Sequence, residues 1–113
     1  MIILSWNVIG LAQPLASFFC NQMIHRVKTN FCFLMDTKVN IEKWKQKARN
    51  WGFQYCEGTT CMGLSGGLMI LWDESVKVSI KFMNKNIINA YISDHHNNFW
   101  ISCLYGHLEM QFR

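Results

Sequence analysis

Phe31-Cys32-Phe33-Leu34-Met35-Asp36-Thr37-Lys38 is the stretch from which the rest of the fold can be laid out. Five apolar residues in a row, rich in aromatic side chains and closed by a polar triplet, read as a buried strand. Upstream, Ile2-Ile3-Leu4-Ser5-Trp6 is a second run of the same kind. Gly10 and the Gln13-Pro14 step break it, and Pro14 suits the first turn of a helix. Leu15, Phe18, Phe19, Met23 and Val27 then recur at three- to four-residue spacing, which gives a helix over about 14–28 with those residues on its packed face. Downstream, Asn40 can cap a second helix that carries Ile41, Trp44, Ala48 and Trp51 on one face and basic residues on the other, with Gly52 as its stop.

Beyond Gly52 the period becomes that of strands. Phe53–Glu57, Gly67–Trp72, Val76–Met83, Ile87–Ser93 and Trp100–Tyr105 are the candidates, with short polar separators such as Asp73-Glu74 and Asn84 to Asn86. Strand, helix, strand, helix and then a run of strands predicts an α+β fold, one mixed sheet with two helices on its outer face. At 113 residues the chain is one small domain or part of a larger one.

Composition removes several classes. Half of the residues are hydrophobic and 16% are charged, which is the reverse of a disordered chain. No apolar run nears the ~20 residues that span a bilayer. The opening Met1-Ile2-Ile3-Leu4-Ser5 has no basic lead-in, so a signal peptide is not expected and an intracellular location, nuclear or cytoplasmic, is. The five cysteines, Cys20, Cys32, Cys56, Cys61 and Cys103, are odd in number and mostly lie within apolar runs, which speaks against a disulfide framework. A zinc set of Cys56, Cys61, His95 and His96 can be drawn, but adjacent histidines in a strand point to opposite faces.

Eight Phe, five Trp, three Tyr and seven Met are a large apolar load for a chain whose size buries only about two-thirds of its unfolded surface. The sheet face turned away from the helices is therefore expected to lack its cover. The net charge of +4 is carried by residues 1–50, where seven Lys and Arg face only Asp36 and Glu42. Lys43, Lys45, Lys47 and Arg49 form either the solvated face of a helix or a contact for a phosphate-bearing partner.

Three polar groups close buried strands: Asn7, Asp36 and Tyr105. Rigid elements place such groups accurately while the following loops leave them open. A carboxylate and a carboxamide together offer hard oxygens, which suit Mg²⁺ better than zinc.

Four blocks occur in order: Ser5-Trp6-Asn7-Val8-Ile9-Gly10-Leu11, Phe33-Leu34-Met35-Asp36-Thr37-Lys38, Ser65-Gly66-Gly67-Leu68-Met69-Ile70-Leu71-Trp72, and Tyr105-Gly106-His107. Together they resemble the opening of the endonuclease/exonuclease/phosphatase superfamily, the DNase I-like fold. More narrowly they are similar to the endonuclease domain of plant LINE-type (non-LTR) retrotransposons, whose blocks read SWN-x-x-GL, FL-x-ETK, SGGL-x-x-LW and YG-x-P. The resemblance spans Met1 to about Glu109. It implies a four-layer α/β sandwich of which residues 1–113 are the N-terminal half, with the C-terminal half missing. It also implies hydrolysis of phosphodiester or phosphomonoester bonds with Mg²⁺ or Mn²⁺, and DNA as the substrate. By resemblance, Asn7 belongs to the network around phosphate and metal, Asp36 stands at the metal-binding glutamate, and Tyr105 lies beside the phosphate.

The departures from that pattern set the expected activity. Asp36 is one methylene shorter than glutamate, which retracts the carboxylate by roughly 1.5 Å where Mg²⁺–oxygen distances are held near ~2.1 Å. Ile9 replaces a residue often polar in relatives, and His107-Leu108 replaces the proline-containing ending. The aspartate–histidine pair that closes the family's second half has no counterpart around His25, His95, His96 or His107. The expectation is a truncated, inactive DNA endonuclease domain that self-associates through its uncovered sheet face. Two other readings stand beside it: a non-enzymatic nucleic-acid-binding remnant using the basic helix, and a phosphatase-branch member acting on a phosphorylated lipid or inositol.

Overall fold

The computed structural model describes residues 1–60 and 66–105. The chain runs β1 (Ile3–Asn7), α1 (Pro14–Val27), β2 (Phe31–Met35), α2 (Ile41–Asn50), β3 (Tyr55–Thr59), β4 (Leu68–Trp72), β5 (Lys77–Met83), β6 (Ile87–Ser93) and β7 (Asn98–Leu104). The first four strands form a mixed sheet in the order β1-β2-β4-β3. Its β1 and β2 are parallel, joined by the α1 crossover, and β4 runs antiparallel to both β2 and β3. This is the expected α+β architecture, with both helices on one side of a mixed sheet.

Alternation along the strands builds two cores. Cys32, Leu34, Met69, Leu71 and Cys56 face the helices and pack with Cys20, Ile24, Trp44, Ala48 and Trp51. Phe31, Phe33, Leu68, Ile70 and Trp72 face the other way. Helix α2 forms as its pattern requires. The Asn40 side chain accepts from the N–H groups of Glu42 (3.0 Å) and Lys43 (3.3 Å), Ile41, Trp44 and Ala48 are buried, and Gly52 takes φ +96° after the last turn.

Two expectations are corrected. In α1 the packed face is Cys20 and Ile24, whereas Leu15, Phe18 and Phe19 point to solvent. The helix carries apolar residues on more than one side, and the small Cys20 allows the close approach to the sheet that the phenylalanines would prevent. The second correction concerns the meander. Strands β5, β6 and β7 do not extend the mixed sheet but form an antiparallel sheet of their own. The reason lies in β4, whose two edges are already paired with β2 and β3. A strand following the short turn at Asp73–Val76 has no edge of β4 to join. The turn is held by the Asp73 carboxylate, which accepts from Ser75 N at 2.9 Å, and Val76 tucks into the inner core.

The new sheet covers the face that was expected to be bare. Val76, Ile88, Ile92 and Cys103 bury against Phe31, Phe33, Leu68, Ile70 and Trp72, with Ile101 partly buried beside them. Ile88 has none of its surface exposed; Leu71, on the opposite face of β4, is buried under the helices instead. At ~1.5–3 kcal/mol for each fully buried large apolar side chain, this interface is a main source of stability. Among the described residues the face stays open at both edges, at Ile3, Ser5 and Asn7 of β1 and at Tyr55 of β3.

Candidate phosphate and metal site

Strands β1 and β2 are in register with Asn7 opposite Met35, so both buried runs end at the same level. The two chains keep their pairing beyond the strands. Val8 N donates to Met35 O (3.1 Å), Gly10 N to Asp36 O (2.9 Å) and Leu11 N to Thr37 O (2.8 Å). The glycine pair before β4 joins from the other side. Thr37 N donates to Gly67 O (3.2 Å) and Lys38 N to Gly66 O (2.9 Å), while Gly66 N donates to the Asp36 carboxylate at 3.2 Å. Gly66 and Gly67 both have left-handed φ, +82° and +95°, a conformation that favours glycine. Three of the four sequence blocks are thereby laced together by main-chain bonds.

Backbone strain gathers at the same place. Ile9 (φ +48°), Asp36 (+56°) and Lys38 (+55°) are three of the four non-glycine residues with positive φ among the described residues. For a β-branched residue such as Ile9 that conformation is rare, and each such residue costs on the order of 1–3 kcal/mol. Strain of this kind concentrates at functional sites. Elsewhere it occurs at Lys28, the left-handed C-cap of α1.

Asn7 is exposed at the tip, and its carboxamide oxygen accepts from Ile9 N at 3.2 Å. The amide nitrogen has no partner among the described residues and is available to a phosphate oxygen. Asp36 is half-buried, with one carboxylate oxygen occupied by Gly66 N. Tyr105 directly follows β7 of the other sheet. Its N–H donates to Asn86 O at 2.7 Å, and it packs on the inner core together with Met35, the residue before Asp36. It makes no hydrogen bond to Asn7 or Asp36 among the described residues.

Lys38 was not singled out from the sequence. Its aliphatic stem lies beside Gly10, so that a Cβ on Gly10 would sit 3.8 Å from Lys38 Cδ. This places an exposed cation against the first block. The cue was its position at the end of Asp36-Thr37-Lys38.

The donor set fits a hard divalent ion in kind but not in number. Asp36 and Asn7 supply oxygens, yet no group of three or more His, Cys, Asp and Glu side chains comes together among the described residues. Mg²⁺ takes six oxygens, with one or two protein carboxylates and the rest from phosphate and water. No imidazole stands at the tips among the described residues. His25 Nδ1 pairs with Asn21 O at 2.8 Å on α1, and His95 and His96 lie exposed in the β6–β7 turn. Gly106 and His107 fall outside the described residues, as do Cys61 and Ser65.

The four described cysteines take no part in this chemistry. Burial pushes the thiols of Cys20 and Cys56 up to about 12 and that of Cys103 to about 11, and that of Cys32 well above its ordinary value. Cys56 is buried under the helices, away from the turn that carries His95 and His96, so those residues do not form the zinc set drawn from the sequence.

With two facing sheets, helices outside one of them and polar groups at adjacent strand tips, comparison with solved structures decides the architecture. The chain superposes on the AP endonuclease LMAP from Leishmania major with a TM-score of 0.61 at 15% identity, covering 89% of this chain. The fold is DNase I-like. A 3′ phosphatase, NExo, from Neisseria in complex with a product DNA hairpin gives a TM-score of 0.56 at 14% identity over 85% of this chain. The DNase I-like chain spans 38% of the length of each of these structures. No protein-family model and no curated protein sequence matches it. Among the described residues, no helix is long and apolar enough to cross a membrane.

Proposed function

We propose that this chain is the N-terminal half of a metal-dependent DNA endonuclease domain of LINE-type retrotransposon origin, and that it does not cleave DNA by itself. The observation that carries the reading is the lacing of the residues that follow Asn7 to Asp36 and Thr37, and of Asp36, Thr37 and Lys38 to the Gly66-Gly67 pair, at the tips of adjacent strands. The likeness to two DNA-processing enzymes supports the choice of DNA, and the 38% span supports a partial domain. In this site the Asn7 amide and the Lys38 ammonium bind and orient a phosphate group, and Asp36 offers one carboxylate oxygen to Mg²⁺ or Mn²⁺. When bound, the ion supplies polarisation of the phosphoryl group and neutralises charge on the leaving oxygen. The residues that activate water lie in the second half of the domain. Tyr105 borders the phosphate from the opposite sheet. The chain self-associates through the β1 flank, where Met1, Ile2, Ile3, Phe18 and Phe19 are exposed.

A supercoiled-plasmid assay with Mg²⁺ tests the reading. The chain is expected to nick no faster than an Asp36→Ala control. Metal-dependent nicking that the substitution abolishes would show that the active site is complete without a second half. Phosphate release from a 3′-phosphorylated hairpin, without nicking, would favour a DNA 3′ phosphatase, for which the Neisseria likeness is the support, over both the endonuclease and the lipid- or inositol-directed phosphatase. A downstream reading frame that encodes neither an aspartate–histidine pair nor a reverse transcriptase would end the LINE assignment.

A further inference from the structure

The strand register puts a second feature at the opposite pole of the mixed sheet. Asn7, Met35, Leu68 and Thr59 form one cross-strand row, and Ile3, Phe31, Trp72 and Tyr55 form another. The rows are four residues apart, about 13 Å along the strands, and β3 lies three strands from β1, about 14 Å across. At this far corner a trough of about 430 Å³ wraps the free edge of β3, bounded by Lys45 and Arg49 of α2, Gln54, Tyr55, Trp72 and Ile80. That is the volume of a small-ligand site.

Its lining combines an aromatic pair, a basic stripe and the Glu57 carboxylate, which is paired with Lys45. Tyr55 stacks on Trp72 with ring centroids 5.5 Å apart and planes only 14° from parallel. Trp72 is 8% exposed, whereas Tyr55 keeps 48% of its surface open. The buried indole holds the phenol ring, so a planar group stacking on it freezes little further side-chain motion. Beside the ring lies one basic stripe of α2, Lys45 and Arg49, four residues apart and so on one helical face. Lys45 is pinned by Glu42 (3.3 Å) and Glu57 (3.4 Å). Arg49 is exposed and makes no ion pair among the described residues, which leaves its guanidinium open to an anion. Lys47 turns away, 4.5 Å above the Trp44 ring.

We propose that this trough is a binding site for single-stranded nucleic acid, distant from the phosphate pocket, in which a base stacks on Tyr55 and an adjacent phosphate pairs with Arg49. A held aromatic face beside an unpaired guanidinium is the combination that single strands use without regard to sequence. The inference rests on the reading above only in its choice of nucleic acid as the ligand. Its function is to hold strand away from the site of chemistry, which requires neither a metal nor the second half of the domain.

The test is fluorescence anisotropy of a labelled oligothymidylate with the 113-residue chain in EDTA and low salt. Tyr55→Phe is expected to bind like the parent chain, and Tyr55→Leu to lose roughly 5- to 150-fold, the worth of one base–aromatic stack. Arg49→Ala is expected to lower the slope of log affinity against log salt by about 0.7, one phosphate contact on a single strand. An abasic oligonucleotide with the same phosphates probes the unaltered chain, where it is expected to bind as weakly as the oligothymidylate binds Tyr55→Leu. Equal affinity for abasic and normal strands, or no effect of Tyr55→Leu in a folded protein, overturns the proposal. Loss confined to Asn7→Ala and Lys38→Ala overturns it too, yet leaves the phosphate-pocket reading standing. Failure to bind any oligonucleotide while an extended peptide pairs with β3 overturns the proposal and, being measured in EDTA, leaves the metal-dependent pocket reading standing. Tyr55-dependent binding by a chain that shows no nuclease ancestry supports the trough alone.

Discussion

Asp36 is both a candidate metal ligand and a fastener between two loops, and substitution can separate these roles. Its carboxylate accepts from Gly66 N at 3.2 Å, and its backbone sits at φ +56°. Asp36→Ala removes a charge-assisted hydrogen bond worth ~1.5–3 kcal/mol, toward the lower end at a half-buried position. It also places in the left-handed region a residue that has none of the local compensation of Asp or Asn, for ~1 kcal/mol more. The expected loss is about 2–4 kcal/mol, a large share of a typical 5–15 kcal/mol domain stability. In urea, monitored by tryptophan fluorescence, that is a midpoint lower by about 1–2 M at a slope near ~2 kcal/mol/M. Asp36→Asn keeps the acceptor and tolerates the same φ, so its midpoint should stay within about 0.5 M of the parent. Asp36→Gly should fall between, because glycine relieves the strain but loses the bond. If Asn destabilises as much as Ala, the carbonyl-type tie to Gly66 is not what holds the loops. If Ala is neutral, Asp36 has no structural role and the argument for the laced frame fails at that point.

Other perturbations test the remaining frame. A Cβ on Gly58 would lie 2.0 Å from Leu68 O and 2.9 Å from Met69 Cα, both main-chain atoms; Gly58→Ala is therefore expected to cost about 3 kcal/mol or more and to release β3 amides to hydrogen exchange, and an unchanged melt would contradict that. The raised thiols of Cys20, Cys56 and Cys103 are neutral when folded, whereas unfolded thiols ionise from pH 9.0 upward. Their contribution is complete below pH 9 and is lost as pH rises toward 12, by up to about 1.4 kcal/mol per pH unit per thiol. Urea midpoints at pH 8 and pH 10 should show this decline, and Cys56→Ala should reduce it. Iodoacetamide at pH 8 should leave Cys20, Cys32, Cys56 and Cys103 unmodified in the native chain, as mapped by mass spectrometry.

Much of this architecture is legible in the sequence. Helix α2 announces itself because Ile41, Trp44, Ala48 and Trp51 share a face and Asn40 caps it, and the outward residues are nearly all polar. In α1 the phenylalanines outweigh Cys20 in any hydrophobic count, although the tight contact with the sheet selects the smaller side chain. The alternation in β5 to β7 marks which residues turn inward but carries no information about which sheet they line. That choice was made by β4, whose second edge is taken by β3, a pairing between strands separated by residues 60–67. The candidate site was readable as strand ends and ordered blocks. Lys38 and the left-handed φ of Ile9 were not, because neither is visible without the path of the main chain.

The frame around Asn7 and Asp36 is fastened chiefly through amide and carbonyl groups, which every residue type supplies. Apart from the Asp36 carboxylate tie and the two left-handed glycines, such a scaffold is indifferent to the side chains it displays. Reactivity can lapse through a change as small as one methylene while the architecture persists, and the reverse exchange can restore a ligand without refolding anything. Strand tips of this construction make the fold a durable mount for interchangeable chemistry, in which the shape outlasts the activity.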